Sequence, residues 1–385
     1  MNKSNKEFMI FSAINIIFVV DAHAWTALNL MTRYLSYNMF FMQAFIFISG
    51  YFFVWRDDLS ITKYIVKKIK KLMIPYYVWW FLYALFLWLL YKFANVKIGA
   101  DITLHNLILG SWEGGECWNF SNPSWFVCCL FLIQILYIFV RYISKRFWND
   151  WIALMVFIVI SVYTTNYVTV NSIIPQRCNF YRVAILLCFY QIGVVYRKYL
   201  EKYVKKLSGI AVCTVILAFI AIYAGIYGWN EFYFNSLSWS KAGMEQFGLM
   251  AGMRPIITGV VGILFWLKIS QALVSVLENN RFVNFISNHT FEIMFNHIVF
   301  IWIVNLILVK LNNKIVLAGF DMVSAINDPW YRWCDSSWSN LMYFLAGLFG
   351  ALAVAWISDY VKRKIRDIWD TMHRKMRNQV EVANE

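Results

Sequence analysis

The chain has 385 residues, of which 61% are hydrophobic, 19% aromatic and 15% charged. Soluble domains are typically about 45–50% apolar and about 25% charged, so this composition excludes an ordinary soluble protein. The net charge of +14 does not indicate nucleic-acid binding, because the basic residues lie mainly in short segments between apolar runs and no base-reading motif is present. We predict an all-α, polytopic integral membrane protein that forms one transmembrane domain over residues 1–385, with no soluble domain.

Ten apolar runs approach the roughly 20 residues that a transmembrane helix needs. The predicted spans lie at about 8–30, 37–55, 73–91, 124–143, 151–170, 180–199, 207–228, 251–272, 286–309 and 339–360. The first run ends in Ala22-His23-Ala24, an A-x-A pattern that is typical of a signal-peptidase site. Because the run is long, and because Asp21 and His23 are poor residues beside such a site, we expect the first span to be retained.

The basic residues predict the orientation of these spans. With the N-terminus in the cytoplasm, short cytoplasmic segments carry most of the 35 Lys and Arg residues, in agreement with the positive-inside rule. These segments are 1–7, 56–72, 141–150, 197–206, 268–285 and 361–385. Both termini are then cytoplasmic, and the last segment is a basic cytoplasmic tail.

Three segments on the opposite side are long and aromatic, at 92–123, 229–250 and 310–338. They either cover an extended polar substrate or anchor the helices in the lipid interface. Three cysteines also fall on this side, and a disulfide among them stays open; they are Cys117, Cys178 and Cys334. The sequence contains no CxxC pair and no metal-ligand spacing, so we expect no metal.

Ionisable residues inside the predicted spans are the first candidates for function, because they are costly in lipid and usually face a cavity or a partner. In the first span, Ser12, Asn15, Val19 and His23 recur at i+3 and i+4 spacing and share one helical face. This stripe favours a polar cavity with His23 in its outer half. The alternative is a buried histidine that bonds to another helix. Asp21 is two residues away and points elsewhere.

The ninth span carries a second polar cluster. His289, Glu292 and Asn296 share a face, and His297 lies at its edge. Two imidazoles and a carboxylate suit a proton relay or the binding of a hydroxyl. His289 follows Asn288 at the start of the helix, where capping is the alternative role, whereas His297 lies deeper.

Two kinds of basic residue lie near the ends of spans. Arg182 and Arg254 either extend to the lipid interface or bind carboxylates and sugar hydroxyls. A lysine cluster precedes the third span and includes Lys67, Lys68 and Lys71. It either orients the helix and attracts anionic lipid, or attracts the phosphates of a cytosolic cofactor.

An ordered series of short motifs resembles that of acyltransferase family 3, the membrane O-acetyltransferases of bacterial surface glycans. The motifs are DAH at 21–23, FISGYF at 47–52, KKIKKLMIPY at 67–76, SWF at 124–126, FYQIGVVYR at 189–197 and ISNHTFEIMFNH at 286–297. The resemblance runs from the first predicted span to the tenth. It departs from the family at Ser12, where an arginine is usual, and at Lys68 and Lys71, where the family has R-x-x-R.

The resemblance implies transfer of an acetyl group from cytosolic acetyl-CoA to a hydroxyl of a cell-surface glycan or its lipid-linked precursor, in the bacterial plasma membrane. The expected catalytic residues are His23 as general base, His297 and Asp21. The residues expected to hold CoA are Lys67, Lys68 and Lys71. Those expected to bind the acceptor or the reacting carbonyl are Asn15, Trp125, Arg182, Arg254 and Glu292. The alternatives are a transporter of a surface polysaccharide without acyltransferase activity, and a non-catalytic scaffold.

Overall fold

The computed structural model describes residues 3–24, 40–56, 58–171, 173, 179–227, 250–323 and 331–383. Within these ranges the protein is all-α, 82% helical and without strands, as predicted. An isolated bridge between Phe320 and Cys334 is the nearest approach to a sheet among the described residues. Cys178 and nearly all of the aromatic segment 229–250 lie outside the described residues.

Ten helices of 11 residues or more lie in the described ranges, and each overlaps one predicted span. They are α1 (Lys3–His23), α2 (Phe41–Tyr51), α3 (Ile61–Ala94), α4 (Trp125–Ile143), α5 (Asp150–Val170), α6 (Asn179–Val204), α7 (Gly209–Tyr227), α8 (Met250–Ala272), α9 (Thr290–Asn312) and α10 (Ser337–Ala383). Seven of them contain a segment that is long and apolar enough to cross a membrane. The helical membrane fold is therefore confirmed, whereas ten spans and cytoplasmic termini stay predictions.

Helix α1 lies inside the bundle and contacts α2, α8, α9 and α10. Its apolar residues are buried around the whole circumference, as in Phe11, Ile16 and Val20. Ion pairs fix its N-terminal end, since Lys6 lies 2.8 Å from Glu278 and Lys205 lies 3.0 Å from Glu7. A buried first helix can carry polar residues towards an internal space without exposing them to lipid.

Helices α2 and α6 cross with their backbones in contact at two glycines. A Cβ atom at Gly50 would lie 1.9 Å from the carbonyl oxygen of Tyr190, and one at Gly193 would lie 2.1 Å from that of Phe47. Small residues allow helices to approach this closely in membranes, where packing replaces much of the hydrophobic driving force. The motifs at 47–52 and 189–197 therefore meet in space as the two halves of one crossing.

Helix α3 contains a π turn at Ile69–Met73, just before Pro75. Proline has no N–H to donate and its ring crowds the carbonyl four residues earlier, which here belongs to Lys71. A wider turn relieves that clash while the helix continues through Ala94. The lysine cluster thus lies on a locally widened helix.

We expect Gly50→Ala to destabilise the protein, because the added methyl group has no room beside Tyr190. Overpacking typically costs about 1–3 kcal/mol. The measurement is the loss of monodisperse protein on heating in detergent, followed by size-exclusion chromatography.

Gly225→Ala is the matched control, since nothing lies within 4 Å of a Cβ atom at that helical glycine. If Gly50→Ala, Gly225→Ala and the wild type lose monodisperse protein at the same temperature, the α2–α6 crossing has room for a methyl group at Gly50 and the prediction is wrong.

Candidate active site

One large cavity opens between the helices and has a volume of about 1690 Å³. We call it the main cavity. Along α1 its wall includes Ser12, Ile16, Val19 and His23, which extend over roughly 16 Å at 1.5 Å per residue. The cluster of Lys67, Lys68 and Lys71 lies on the wall at one end of the cavity, which we call the lysine end. His23 lies on the wall at the opposite end, which we call the histidine end.

His23 faces the main cavity from the last turn of α1. Its Nδ1 atom lies 3.3 Å from the hydroxyl oxygen of Tyr331, and its ring centroid lies 5.0 Å from that of His297. The sequence prediction that the polar stripe of α1 lines a cavity is confirmed for Ser12, Val19 and His23. An imidazole that borders a cavity is placed to exchange protons with a substrate.

His297 lies behind His23 and is fully buried, without a place on the cavity wall. Its Nδ1 lies 2.9 Å from the carbonyl oxygen of Ile293, which only accepts hydrogen bonds, so Nδ1 carries the proton in the neutral ring. Nε2 is then a bare acceptor, and it has no hydrogen-bond partner among the described residues. Other buried polar atoms among the described residues also lack a partner, including both amide atoms of Gln43, and what distinguishes His297 Nε2 is its place beside the cavity-facing His23.

Tyr331 and Arg332 also line the histidine end, and neither was among the residues predicted to form the site. The Arg332 guanidinium carbon lies 4.4 Å from the centre of the Tyr331 ring. Both belong to the segment 310–338, which was predicted either to cover a polar substrate or to anchor the helices in the lipid interface. No local pattern reveals the contact, because 308 residues separate Tyr331 from His23.

The lysine end gathers more cations than the predicted cluster. Arg56 and Lys362 join the three lysines on its wall. Lys362 Nζ lies 3.1 Å from Glu292 Oε1, and Glu292 is the acidic residue among the described wall residues. Helix α10 continues without a break from Ser337 to Ala383, so the predicted basic tail begins as part of this helix and contributes Lys362.

Trp125 lines the main cavity, whereas Arg182 lies behind it. The Arg182 guanidinium carbon is 3.8 Å from the centre of the Trp125 ring, and its nitrogens bond Glu116 at 2.5 Å and the carbonyl oxygen of Gly114 at 2.8 Å. Burial raises the pKa of the Glu116 carboxyl, and the nearby guanidinium opposes that rise. Arg182 thus ties the loop before α4 to the back of a cavity residue.

The remaining predicted residues lie off the cavity wall. Asn15 is buried and donates to the carbonyl oxygen of Phe11 at 2.7 Å, and Asp21 is also buried. Arg254 lies in the first turns of α8, away from the main cavity. His289 contacts Asp359 at 2.9 Å through Nε2, which favours the structural role that its place at a helix start suggested.

The described cysteines are all free, and no three His, Cys, Asp or Glu residues in the described ranges group as metal ligands. Among the described side chains of the histidine end, the imidazole and phenol groups can exchange protons, whereas the guanidinium stays protonated and can bind an anion. These groups suit the transfer of a group between oxygen and sulfur or oxygen and oxygen.

An apolar helical bundle encloses a cavity with His23 at one end and a lysine cluster at the other, which is the arrangement of a multi-pass membrane protein with an internal site. Residues 12–360 match the profile of acyltransferase family 3, described as an acyltransferase domain. The chain belongs to this family and is an acyltransferase. Searches of curated proteins and of solved structures found no significant match.

We expect Arg182→Gln to lower the free energy of unfolding by about 2 kcal/mol, because it removes charge-assisted hydrogen bonds to Glu116 and a contact with Trp125. Arg182→Lys restores only part of this loss, since an ammonium group cannot stack as a planar guanidinium does. Thermal unfolding in detergent measures the change, and the exposed Arg363→Gln is the control. Equal stability of Arg182→Gln and the control would contradict the assignment.

Proposed function

We propose that the protein transfers an acetyl group from cytosolic acetyl-CoA to a hydroxyl of a cell-surface glycan or its lipid-linked precursor. The observation that carries this proposal is the continuity of the main cavity between the lysine end and His23. A donor with a charged head and a reactive thioester at its far end fits such a cavity in one orientation. The positive-inside pattern supports a cytosolic lysine end and a bacterial plasma membrane as the location.

The lysine end is suited to the phosphates of CoA. Among the described residues, five cations border this end. One carboxylate among the described wall residues opposes them, that of Glu292, which contacts Lys362. Lysine binds phosphate as a mobile point charge, so Lys68 and Lys71 keep the charge of the family's arginine pair without its fixed geometry. Aromatic wall residues, such as Phe45 and Phe52, border the passage that the pantetheine arm would follow.

At the histidine end, His23 acts as the general base. Its imidazole takes the proton of the acceptor hydroxyl as the hydroxyl oxygen attacks the thioester carbonyl carbon. A carbon–oxygen bond forms, the carbon–sulfur bond breaks, and the proton passes from His23 to the departing thiolate. A positioned base contributes about 10²–10⁴-fold, and alignment and stabilisation of the oxyanion supply the rest.

His297 supports His23 from behind. Because its Nε2 is a buried acceptor, it can take a hydrogen bond from the His23 imidazolium when that ring is protonated. The ring centroids lie 5.0 Å apart with the ring planes at 52°, so the rings are close enough for this contact once one of them rotates. Trp125 is a polar wall group available to the oxyanion.

The first test is acetyl-CoA binding and hydrolysis by the purified protein in detergent. We expect Lys68→Ala/Lys71→Ala to weaken binding at least tenfold, because it removes two phosphate partners. The matched control is Lys63→Ala/Lys70→Ala, which removes two exposed lysines of the same helix that lie off the main cavity. We expect His23→Ala to bind normally and to lose hydrolysis.

Equal binding by the two double mutants would contradict the donor site. If no acyl-CoA binds at high concentration, the departures from the family pattern at Ser12 and in the lysine pair would indicate a different donor.

A second test separates His297 of α9 from His289, which directly precedes that helix. We expect His297→Ala to lower kcat about 10- to 100-fold without changing donor binding, because it removes the partner of protonated His23. His289→Ala, which removes a contact with Asp359 outside the cavity, is expected to keep kcat. The mechanism is wrong if cells that express the His23→Ala variant or the His297→Ala variant at normal levels still acylate the acceptor normally.

A further inference from the structure

The charges on the wall of the main cavity are unevenly distributed. Among the described residues, five cations lie at the lysine end, and Arg332 lies at the histidine end. The donor phosphates would lie at the first group, whereas Arg332 lies on the wall beside the reacting groups. A guanidinium on the wall of a cavity is suited to bind an anionic group of a substrate.

Arg332 lies one side chain away from the general base. Its guanidinium is stacked over the Tyr331 ring at 4.4 Å, and the Tyr331 hydroxyl oxygen is 3.3 Å from His23 Nδ1. A group held by Arg332 would therefore lie close to the hydroxyl that reacts at His23. The planar fork of arginine matches the two oxygens of a carboxylate or a phosphate.

A buried network holds the backbone on both sides of Arg332. Asn305 of α9 donates to the carbonyl oxygen of Tyr331 and accepts from the backbone N–H of Trp333 at 3.2 Å. The Tyr343 hydroxyl of α10 donates to the same Asn305 oxygen at 2.5 Å. Both Asn305 and Tyr343 are fully buried. A polar network inside an apolar bundle is retained only where it is well satisfied, and here it fixes the cavity-facing segment.

We infer that Arg332 binds an anionic group, a carboxylate or a phosphate, on the reactant beside the hydroxyl that is acylated. The preferred acceptor is thus an acidic or phosphate-bearing sugar rather than a neutral one. The inference rests on the proposed function for the reaction that this binding serves. The anionic group that Arg332 binds has a second source, because an acyl group on the donor can itself end in a carboxylate.

The experiment compares matched substrates with purified protein in lipid nanodiscs. The acceptors are an oligosaccharide that ends in a uronic acid, its neutral hexose counterpart and a sugar phosphate; the donors are acetyl-CoA and succinyl-CoA. We expect Arg332→Gln to lower kcat/KM for the anionic substrate about 10- to 100-fold and for the neutral pair less than about threefold, since charge-assisted hydrogen bonds are lost only in the first case. Arg332→Lys should be intermediate.

The control is Arg146→Gln, because Arg146 is an exposed arginine that also stacks on an aromatic ring, that of Phe147 at 5.8 Å. A selective loss with the acidic or phosphorylated acceptors assigns the anion to the acceptor, and a selective loss with succinyl-CoA assigns it to the acyl group. Equal losses with all substrates, or no loss, would overturn the inference.

A binding measurement separates this inference from the proposed function. Titration with the uronic acid oligosaccharide, without donor, is followed by tryptophan fluorescence. Tighter binding to the wild type than to Arg332→Gln is expected even if no donor supports acyl transfer, in which case only the proposed function fails. If the wild type and Arg332→Gln bind the oligosaccharide equally, and both transfer the acyl group at the same rate, the anion site is rejected and the proposed function stands.

Discussion

The backbone contact between α2 and α6 sets the position of the cavity wall. Where Gly50 and Gly193 meet, no side chain separates the helices, and the neighbouring residues Ser49 and Tyr190 are directed onto the wall of the main cavity. The opposite face of α6 is fixed as well, since Gln191 accepts from the Tyr137 hydroxyl at 2.6 Å. Packing of small residues is the main way to hold helices together in lipid, so the space for a substrate depends on this crossing.

Around that frame, the polar side chains of the apolar bundle fall into two groups. Those of the first group satisfy one another, as Asn296 does by accepting from Tyr83 at 2.9 Å. Those of the second group face the main cavity or keep an open acceptor, as His23 and His297 do. The polar groups that face the main cavity are therefore the candidates to handle a substrate, and those of the first group hold the helices in place.

This division explains what the sequence could predict. Hydropathy and charge predict the membrane fold because a bilayer fixes both the length and the composition of a span. The helical repeat places His23 on the cavity wall but leaves Asn15, about 60° from Ser12 around the axis, outside it. Tyr331 and Arg332 depend on contacts across more than 300 residues, which no local pattern reveals. Lys362 had a visible signal, because neither glycine nor proline interrupts the chain after Gly350 and α10 continues through it.

The two ends of the main cavity differ in how their cations are held, and on the proposed function this difference has a consequence for specificity. The lysine end uses flexible side chains on a helix, so it recognises charge and tolerates variation in the shape of the donor. The histidine end uses an arginine whose backbone is fixed by Asn305 and Tyr343, so it recognises geometry as well as charge. Recognition of the donor should therefore weaken strongly with salt, whereas discrimination among acceptors should depend on the shape of the group that Arg332 binds. The selectivity of the enzyme is then set at the histidine end, where the acyl group is transferred, and not at the lysine end, where the phosphates of CoA bind.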